Sequence, residues 1–286
     1  MKRVIIVGMD FSEGSELALN YAIQLANKLY ANILMVWVEK EKVSSSVLVG
    51  ENHDPQAEAT KRFEDLIQKR KDSLTGGKFM YKIRKGKVHK EIASQAKYHE
   101  AFLIVVGTHG TSGFEEFWIG SSAYRIVTSS PCPVITLRYE EAEERPIKKI
   151  VLPIDSTRQT RQKSPFVATL AKQFDAEVIV LGIYSTMGNA VKSIVNSYVD
   201  QTAKYMAEHK VKYSVDSKEA GNVTDAIIEY AREVNADMIS VMTEQETTTA
   251  NLLLGPYAQQ MVNHSPIPVL SVRPKNLYDA QLKKDT

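Results

Sequence analysis

The residues with the strongest chemical character lie in one stretch, VVGTHGTSGFEEFWIGSSAYRIV (105–127). An apolar run ends at Gly107. Gly110 and Gly113 follow, and a loop of bulky residues then leads to Gly120, Ser121 and Ser122, which open a helix. Glycines let a phosphate oxygen approach main-chain N–H groups because no Cβ stands in the way. A helix N-terminus adds unpaired donors and a partial positive charge, and two serine hydroxyls can donate to the same oxygens. The stretch reads as a phosphate cradle built without a lysine. A second reading stands beside it: Gly107 and Gly110 make a tight turn and Ser121 caps the helix. The chain has no G-x4-G-K-[ST], and no G-x-G-x-x-G after its first strand. Both absences disfavour a P-loop motor and a Rossmann dehydrogenase.

Fewer residues elsewhere invite chemistry. Asp10, at the end of the first apolar run, can bind a metal or a ribose hydroxyl, or it can cap a helix; the residue type favours neither. His109 is the one histidine placed in the glycine loop. His53, His89, His99, His209 and His264 show no H-x3-H or H-E-x-x-H spacing and read as surface or packing residues. Cys132, between Pro131 and Pro133, has no base nearby in sequence and reads as a buried structural thiol. As the only cysteine, it excludes a disulfide framework and a multi-cysteine zinc site. Trp37 reads as core, and Trp118, in the loop over the cleft, as a lid. The run KRFEDLIQKRKD (61–72) reads as the solvated face of a helix.

The elements that position these residues follow from apolar periodicity. Strands are expected at 3–9, 32–38, 79–84, 102–107 and 133–138. Between them, Leu17, Tyr21, Leu25 and Leu29 with Ala18, Ala22 and Ala26 form one helical stripe, with Ser12 as its N-cap. Phe63, Leu66 and Ile67 mark a second helix, Val88, Ile92 and Ala96 a third, and another follows Gly120. Nearly continuous apolar strands between helices imply a parallel sheet covered on both faces.

The pattern then repeats. RVIIVGMD (3–10) returns as KIVLPID (149–155), Gly86 as Gly221, Gly120 as Gly255, and Pro131 and Pro133 as Pro266 and Pro268. The chain of 286 residues is about twice a ~150-residue domain, so each half can bury its own core. The fold expected is α/β: two tandem doubly wound (Rossmann-like) domains, each a five-stranded parallel sheet flanked by helices, over 1–141 and 147–274. An acidic linker, EEAEERP (140–146), joins them, and 275–286 forms a C-terminal tail. Lys+Arg is 36 and Asp+Glu is 34, a balance that gives no nucleic-acid footprint. No apolar run reaches the ~18 residues of a membrane span. The N-terminus reads as a first strand and not a signal peptide, so the compartment expected is the cytoplasm.

Gly107-x2-Gly110-x9-Gly120-Ser121 matches, without a gap, the G-2x-G-9x-G-[ST] ATP-binding motif of the universal stress protein family. The first strand ending in Asp10, the Gly86 turn before the third helix and SSPCPV (129–134) are similar to that family too, and the whole chain resembles a tandem member. The resemblance implies an adenine nucleotide (ATP, ADP or AMP) accompanied by Mg or Mn, with Asp10 as the metal ligand. It implies that Gly8, Met9 and Asp10 line the adenosine side, that Val38 presents its main chain to the adenine edge, and that Val106 and Gly107 lie along the ribose. His109, Gly110, Gly120, Ser121 and Ser122 would hold the phosphates. Met9 and Ala123 depart from the small polar residues expected at those places.

In the second copy Gly107 becomes Met242, His109 becomes Glu244, Gly110 becomes Gln245 and Ser121 becomes Pro256. Side chains and a negative charge replace the cradle, and a proline removes an N–H donor. The second half is therefore expected to bind no ATP in the usual way. The resemblance further implies a pseudo-dimer of the two halves, with VITLR (134–138) and VLSVR (269–273) pairing antiparallel, and leaves room for a homodimer of chains. The expected function is nucleotide-dependent regulation of a stress response without catalysis, through an unnamed protein partner and without nucleic acid or membrane. A slow ATPase or phosphoryl-transfer enzyme and a ligand-free interaction module are the alternatives.

Overall fold

The computed structural model describes residues 2–39, 54–108, 121–138, 146–184, 188–243 and 256–274, with only the main chain at Ser121 and Pro256. In the N-terminal half, strands β1 (Val4–Met9), β2 (Asn32–Glu39), β3 (Phe79–Lys85), β4 (Leu103–Gly107) and β5 (Val134–Leu137) alternate with helices α1 (Glu13–Leu29), α2 (Pro55–Arg70), α3 (Val88–Tyr98) and α4 (Ser121–Ser129). The C-terminal half repeats the order with β6 (Lys149–Ile154), β7 (Glu177–Tyr184), β8 (Tyr213–Glu219), β9 (Met238–Met242) and β10 (Val269–Val272). Its helices are α5 (Ser164–Phe174), α6 (Asn189–Glu208), α7 (Val223–Glu233) and α8 (Pro256–His264).

All ten strands form one sheet in the order β3-β2-β1-β4-β5-β10-β9-β6-β7-β8. Within each half the strands are parallel. At the centre β5 and β10 run antiparallel, with Val269 opposite Thr136, Leu270 opposite Ile135 and Ser271 opposite Val134. These are the two segments expected to meet. Pairing them removes two apolar edges that would otherwise face water. The outer edges β3 and β8 are the strands with exposed residues, which explains their polar sequences, FMYKIRK and YSVDSKE.

Strand alternation sends successive side chains to opposite faces. Ile5 and Val7 enter one core with Leu25, Phe63, Leu152 and Leu170. Ile6 enters the other with Ile92, Ile126, Val151, Ile227 and Met261. Both cores are continuous from one half to the other across the β5–β10 seam. Phe102 and Phe166 stack across the boundary at 4.9 Å, and buried Arg273 donates from Nη1 to Ser130 O at 3.2 Å. Cys132 is buried, as expected, and burial pushes its thiol up to about 12.

Helix starts and stops obey local chemistry. Ser12 caps α1, accepting from Ser15 N, and Tyr30 ends that helix in the left-handed conformation. Asp54 caps α2 through Gln56 N and Ala57 N. Leu17 alone of the predicted α1 stripe is only half-buried. Truncation at the central seam tests the shared core. Leu270→Ala is expected to lower the unfolding free energy of the whole chain by about 2–5 kcal/mol, measured by urea denaturation.

Candidate functional site

In an open parallel sheet, ligands bind beyond the carboxyl ends of the strands where the strand order reverses. In the N-terminal half that point lies between β1 and β4, and the main chain there is open. In β2, Asn32 N–H donates to Arg3 O at 2.9 Å, toward β1, and Ile33 N–H to Lys78 O at 3.0 Å, toward β3. The alternation turns the main chain of Val38 toward β1, yet the β1–β2 pairing stops at Met9 opposite Trp37. In β4, Thr108 N–H donates to Leu137 O of β5 at 2.8 Å. Gly107 therefore turns its main chain toward β1, whose pairing with β4 stops at Val7 opposite Val105. Val38 and Gly107 both present main-chain polar groups to this crevice, and α4 begins at Ser121 with half-buried Ser122 in its first turn.

Asp10 is exposed, and its Oδ1 accepts from Ser12 N at 3.1 Å and Ser12 Oγ at 2.5 Å. Ser12 Oγ in turn accepts from Ser15 N at 3.3 Å. Asp10 thus supports the cap of α1, the second of the two roles its residue type allowed. Among the described residues, no group of three or more His, Cys, Asp or Glu side chains gathers to hold a metal. Asp155 repeats the arrangement, accepting from Thr157 N at 2.8 Å and Thr157 Oγ1 at 2.6 Å.

Met9 and Ala123 are both buried, Met9 in one core and Ala123 in the other. Their side chains serve packing, so only their main chains remain for a ligand. Gly8 and Gly107 also have packing reasons to be glycine. A Cβ on Gly8 would sit 3.1 Å from both Ile92 Cδ1 and Val106 Cγ1. A Cβ on Gly107 would sit 2.7 Å from Gly14 O and 2.8 Å from Gly14 C. Gly107 is therefore held by the first turn of α1 crossing β4. His109, Gly110, Gly113, Trp118 and Gly120 lie outside the described residues, as do Glu244, Gln245 and Gly255 of the second copy.

The sequence reading passed over Phe11. Its φ of 61° puts an aromatic residue in the left-handed region, which is rare for bulky side chains. Its ring packs on Phe63 at 5.0 Å and lies under the Arg62 guanidinium at 5.3 Å. Phe63 stacks on Tyr81 at 4.9 Å. An aromatic directly after a strand-ending Asp was visible in the sequence, but the backbone angle and the stack were not.

The second half shows the same crevice filled. Pro153, Asp155, Ile183, Val241, Met242 and Tyr257 line it. They are the counterparts of Gly8, Asp10, Val38, Val106, Gly107 and Ser122. The space left is about 10 Å³, roughly enough for one water. Met242 is buried where Gly107 admits α1. The helix of this half, α5, does not begin until Ser164. A 3-10 turn (Thr160–Lys163) takes the missing place and carries Lys163 into the crevice.

Lys163 is fully buried, donating from Nζ to Thr160 O at 2.6 Å and to Thr160 Oγ1 at 3.2 Å. Burial pulls its pKa down to about 8, against the opposing pull of Asp155. The Tyr257 hydroxyl is buried without a hydrogen-bond partner among the described residues. Burial, then Asp155, holds that phenol well above the usual tyrosine range.

Comparison with known proteins follows the same two-part division. A profile of the universal stress protein family matches residues 1–138 and again 146–273. Universal stress protein YxiE of Bacillus subtilis is 30% identical over 146 residues, covering 47% of this chain and 97% of that protein. A universal stress protein of Methanocaldococcus jannaschii is 26% identical over 140 residues, covering 44% and 82%. Among solved structures, a universal stress protein of Archaeoglobus fulgidus superposes with a TM-score of 0.74 at 17% identity, covering 94% of this chain and 98% of that one. A functionally unknown protein of Pseudomonas aeruginosa PAO1 gives 0.70 at 15% identity, covering 100% and 98%. The fold is theirs. Among the described residues, no helix is long and apolar enough to cross a membrane.

Two predictions follow from the crevices. Gly107→Ala drives a Cβ into the backbone of Gly14 and is expected to destabilise the protein by about 1–3 kcal/mol, read by chemical denaturation. Lys163 titrates near pH 8 when folded and near its ordinary value, about 10.4, when unfolded. Its buried charge therefore weakens the fold most below pH 8, and the penalty fades as pH rises from 8 through about 10. Lys163→Met is expected to stabilise the protein by about 1–3 kcal/mol at pH 7. The gain over wild type should shrink by pH 10, measured by denaturation at both values.

Proposed function

Because the chain belongs to the universal stress protein family, with one family domain in each half, we propose that it is an adenine-nucleotide-binding regulator of a stress response. It holds one ATP, ADP or AMP in its N-terminal half alone. The single observation that carries this reading is the contrast between the two crevices. In the first half, Val38 and Gly107 turn their main chains into the opening. In the second, Lys163, Met242 and Tyr257 occupy the corresponding space and leave room for about one water.

The residues of the first crevice fit a nucleotide through their main chains. Val38 offers its backbone to the adenine edge. Gly8, Met9 and Asp10 flank the adenosine, and Val106 and Gly107 lie along the ribose. His109, Gly110, Gly120, Ser121 and Ser122 hold the phosphates with N–H and hydroxyl donors. Met9 and Ala123 contribute no side-chain hydrogen bond, since both are buried in the cores. Mg or Mn accompanies the polyphosphate, with Asp10 as the metal ligand. The nucleotide biases the N-terminal half toward one conformation or partner surface, and no bond is made or broken. The C-terminal half, within limits 147–274, acts as the structural partner of 1–141 through the β5–β10 seam.

Calorimetry on the full chain tests the reading. One nucleotide per chain is expected, and Ser122→Tyr, which copies the second half, should abolish binding. Two sites per chain, or none for ATP, ADP and AMP alike, would overturn it. Phosphate release should stay at the buffer background. A steady release that Ser122→Tyr removes would replace the regulator with an enzyme.

A further inference from the structure

The nucleotide reading leaves unused a groove of about 360 Å³ between the first turn of α3 and the outer face of α4. Lys87, the N-cap of α3, with His89 and Lys90 of its first turn line one side, and Tyr124, Arg125, Thr128 and Ser129 of α4 line the other. Lys87, Lys90 and Arg125 are exposed, and among the described residues no carboxylate pairs with them. The nearest acid in sequence, Glu91, is taken by Arg84 at 3.0 Å. No side chain caps the first amides of α3, because a lysine stands at the N-cap. The concentrated charge is felt at His89. Its pKa is depressed by partial burial and then by Arg125, Lys90 and Lys87 together.

In the second half the equivalent positions are joined to one another by hydrogen bonds. There Asn222 replaces Lys87, Thr224 replaces His89, Asp225 replaces Lys90 and Gln260 replaces Arg125. Asn222 Oδ1 caps the helix, accepting from Thr224 N at 3.1 Å and Asp225 N at 3.4 Å. Thr224 Oγ1 donates to Gln260 Oε1 at 3.0 Å. A satisfied set of hydrogen bonds in one half thus contrasts, in the other, with three cations that pair with no carboxylate among the described residues and with a helix start that no side chain caps.

We propose that the α3–α4 groove of the N-terminal half binds a small phosphate-bearing anion. A phosphate dianion offsets more of the threefold positive charge than a carboxylate can. Its oxygens can take charge-assisted hydrogen bonds from both lysines and the guanidinium, with the uncapped amides of α3 beneath. The proposal does not depend on the nucleotide reading, since the residues that line the groove are not those of the crevice.

The test is a titration of the full chain with inorganic phosphate and with pyrophosphate at constant ionic strength, followed by NMR at the His89 ring and the Val88 and Lys90 amides. Saturable shifts are expected with at least one probe. Comparing the two distinguishes recognition of a single phosphoryl group from recognition of a diphosphate. The His89 pKa should move upward on saturation, because the bound anion offsets the cations that depress it. Lys87→Asn with Arg125→Gln should weaken binding at least tenfold, whereas Ser122→Tyr should leave it unchanged. Arg125→Gln alone, an exposed substitution, serves if the double variant is poorly folded, and should still weaken binding severalfold. Equal shifts with chloride, shifts confined to the crevice, or unchanged affinity in the Lys87 and Arg125 variants would overturn the proposal.

Discussion

The close crossing of α1 over β4 controls what each half of this protein can do. Gly14 and Gly107 meet with no room for a side-chain carbon on the strand. In that half α1 begins at Glu13, directly after the Asp10–Ser12 turn. In the other half the strand residue is Met242 and the helix begins only at Ser164. A 3-10 turn replaces its start, and Lys163 is delivered into the opening. Gly107 and Met242 thus go with two different local structures: α1 packed directly on β4 in one half, and a 3-10 turn that carries Lys163 to the strand ends in the other. Glycine at 107 has a packing cause, and the exposure of its main chain to the crevice is a consequence of it.

The second organising feature is the antiparallel seam. Ten strands share one sheet, and both hydrophobic cores pass from one half to the other. The C-terminal half does not need a ligand of its own to be retained, because it covers the β5 edge and completes the interior that positions the first crevice. Lys163 is tolerated within this framework because Thr160 satisfies its ammonium and Asp155 lies close by. Its depressed pKa records the cost of burial that remains.

Much of the architecture was legible in one dimension, because apolar periodicity is imposed by burial on both faces of a parallel sheet. The strand and helix positions, the Ser12 cap and the buried Cys132 could be read from residue types, and the family resemblance implied which segments pair at the seam. The limits were local. Residues 102 and 133 were expected in strands, yet β4 starts at Leu103 and β5 at Val134. Pattern cannot locate the first ladder hydrogen bond.

The sequence named candidate site positions, whereas the packing roles of several of them came only with the structure. Residue type and spacing by themselves determined the duplication, the fold class and the substitution of Gly107 by Met242, because each is written in which residues recur. The tertiary structure alone decided that Gly107 is required by Gly14, that Met9 and Ala123 serve the cores, that Phe11 adopts a left-handed backbone under Arg62, and that Lys163 fills the second crevice. It also gathered Lys87, Lys90 and Arg125 into one groove, although His89 among them read as an ordinary surface residue. These facts depend on which distant segments come within a few ångströms of one another. That proximity is set by the packing of helices on the sheet, and no local pattern encodes it.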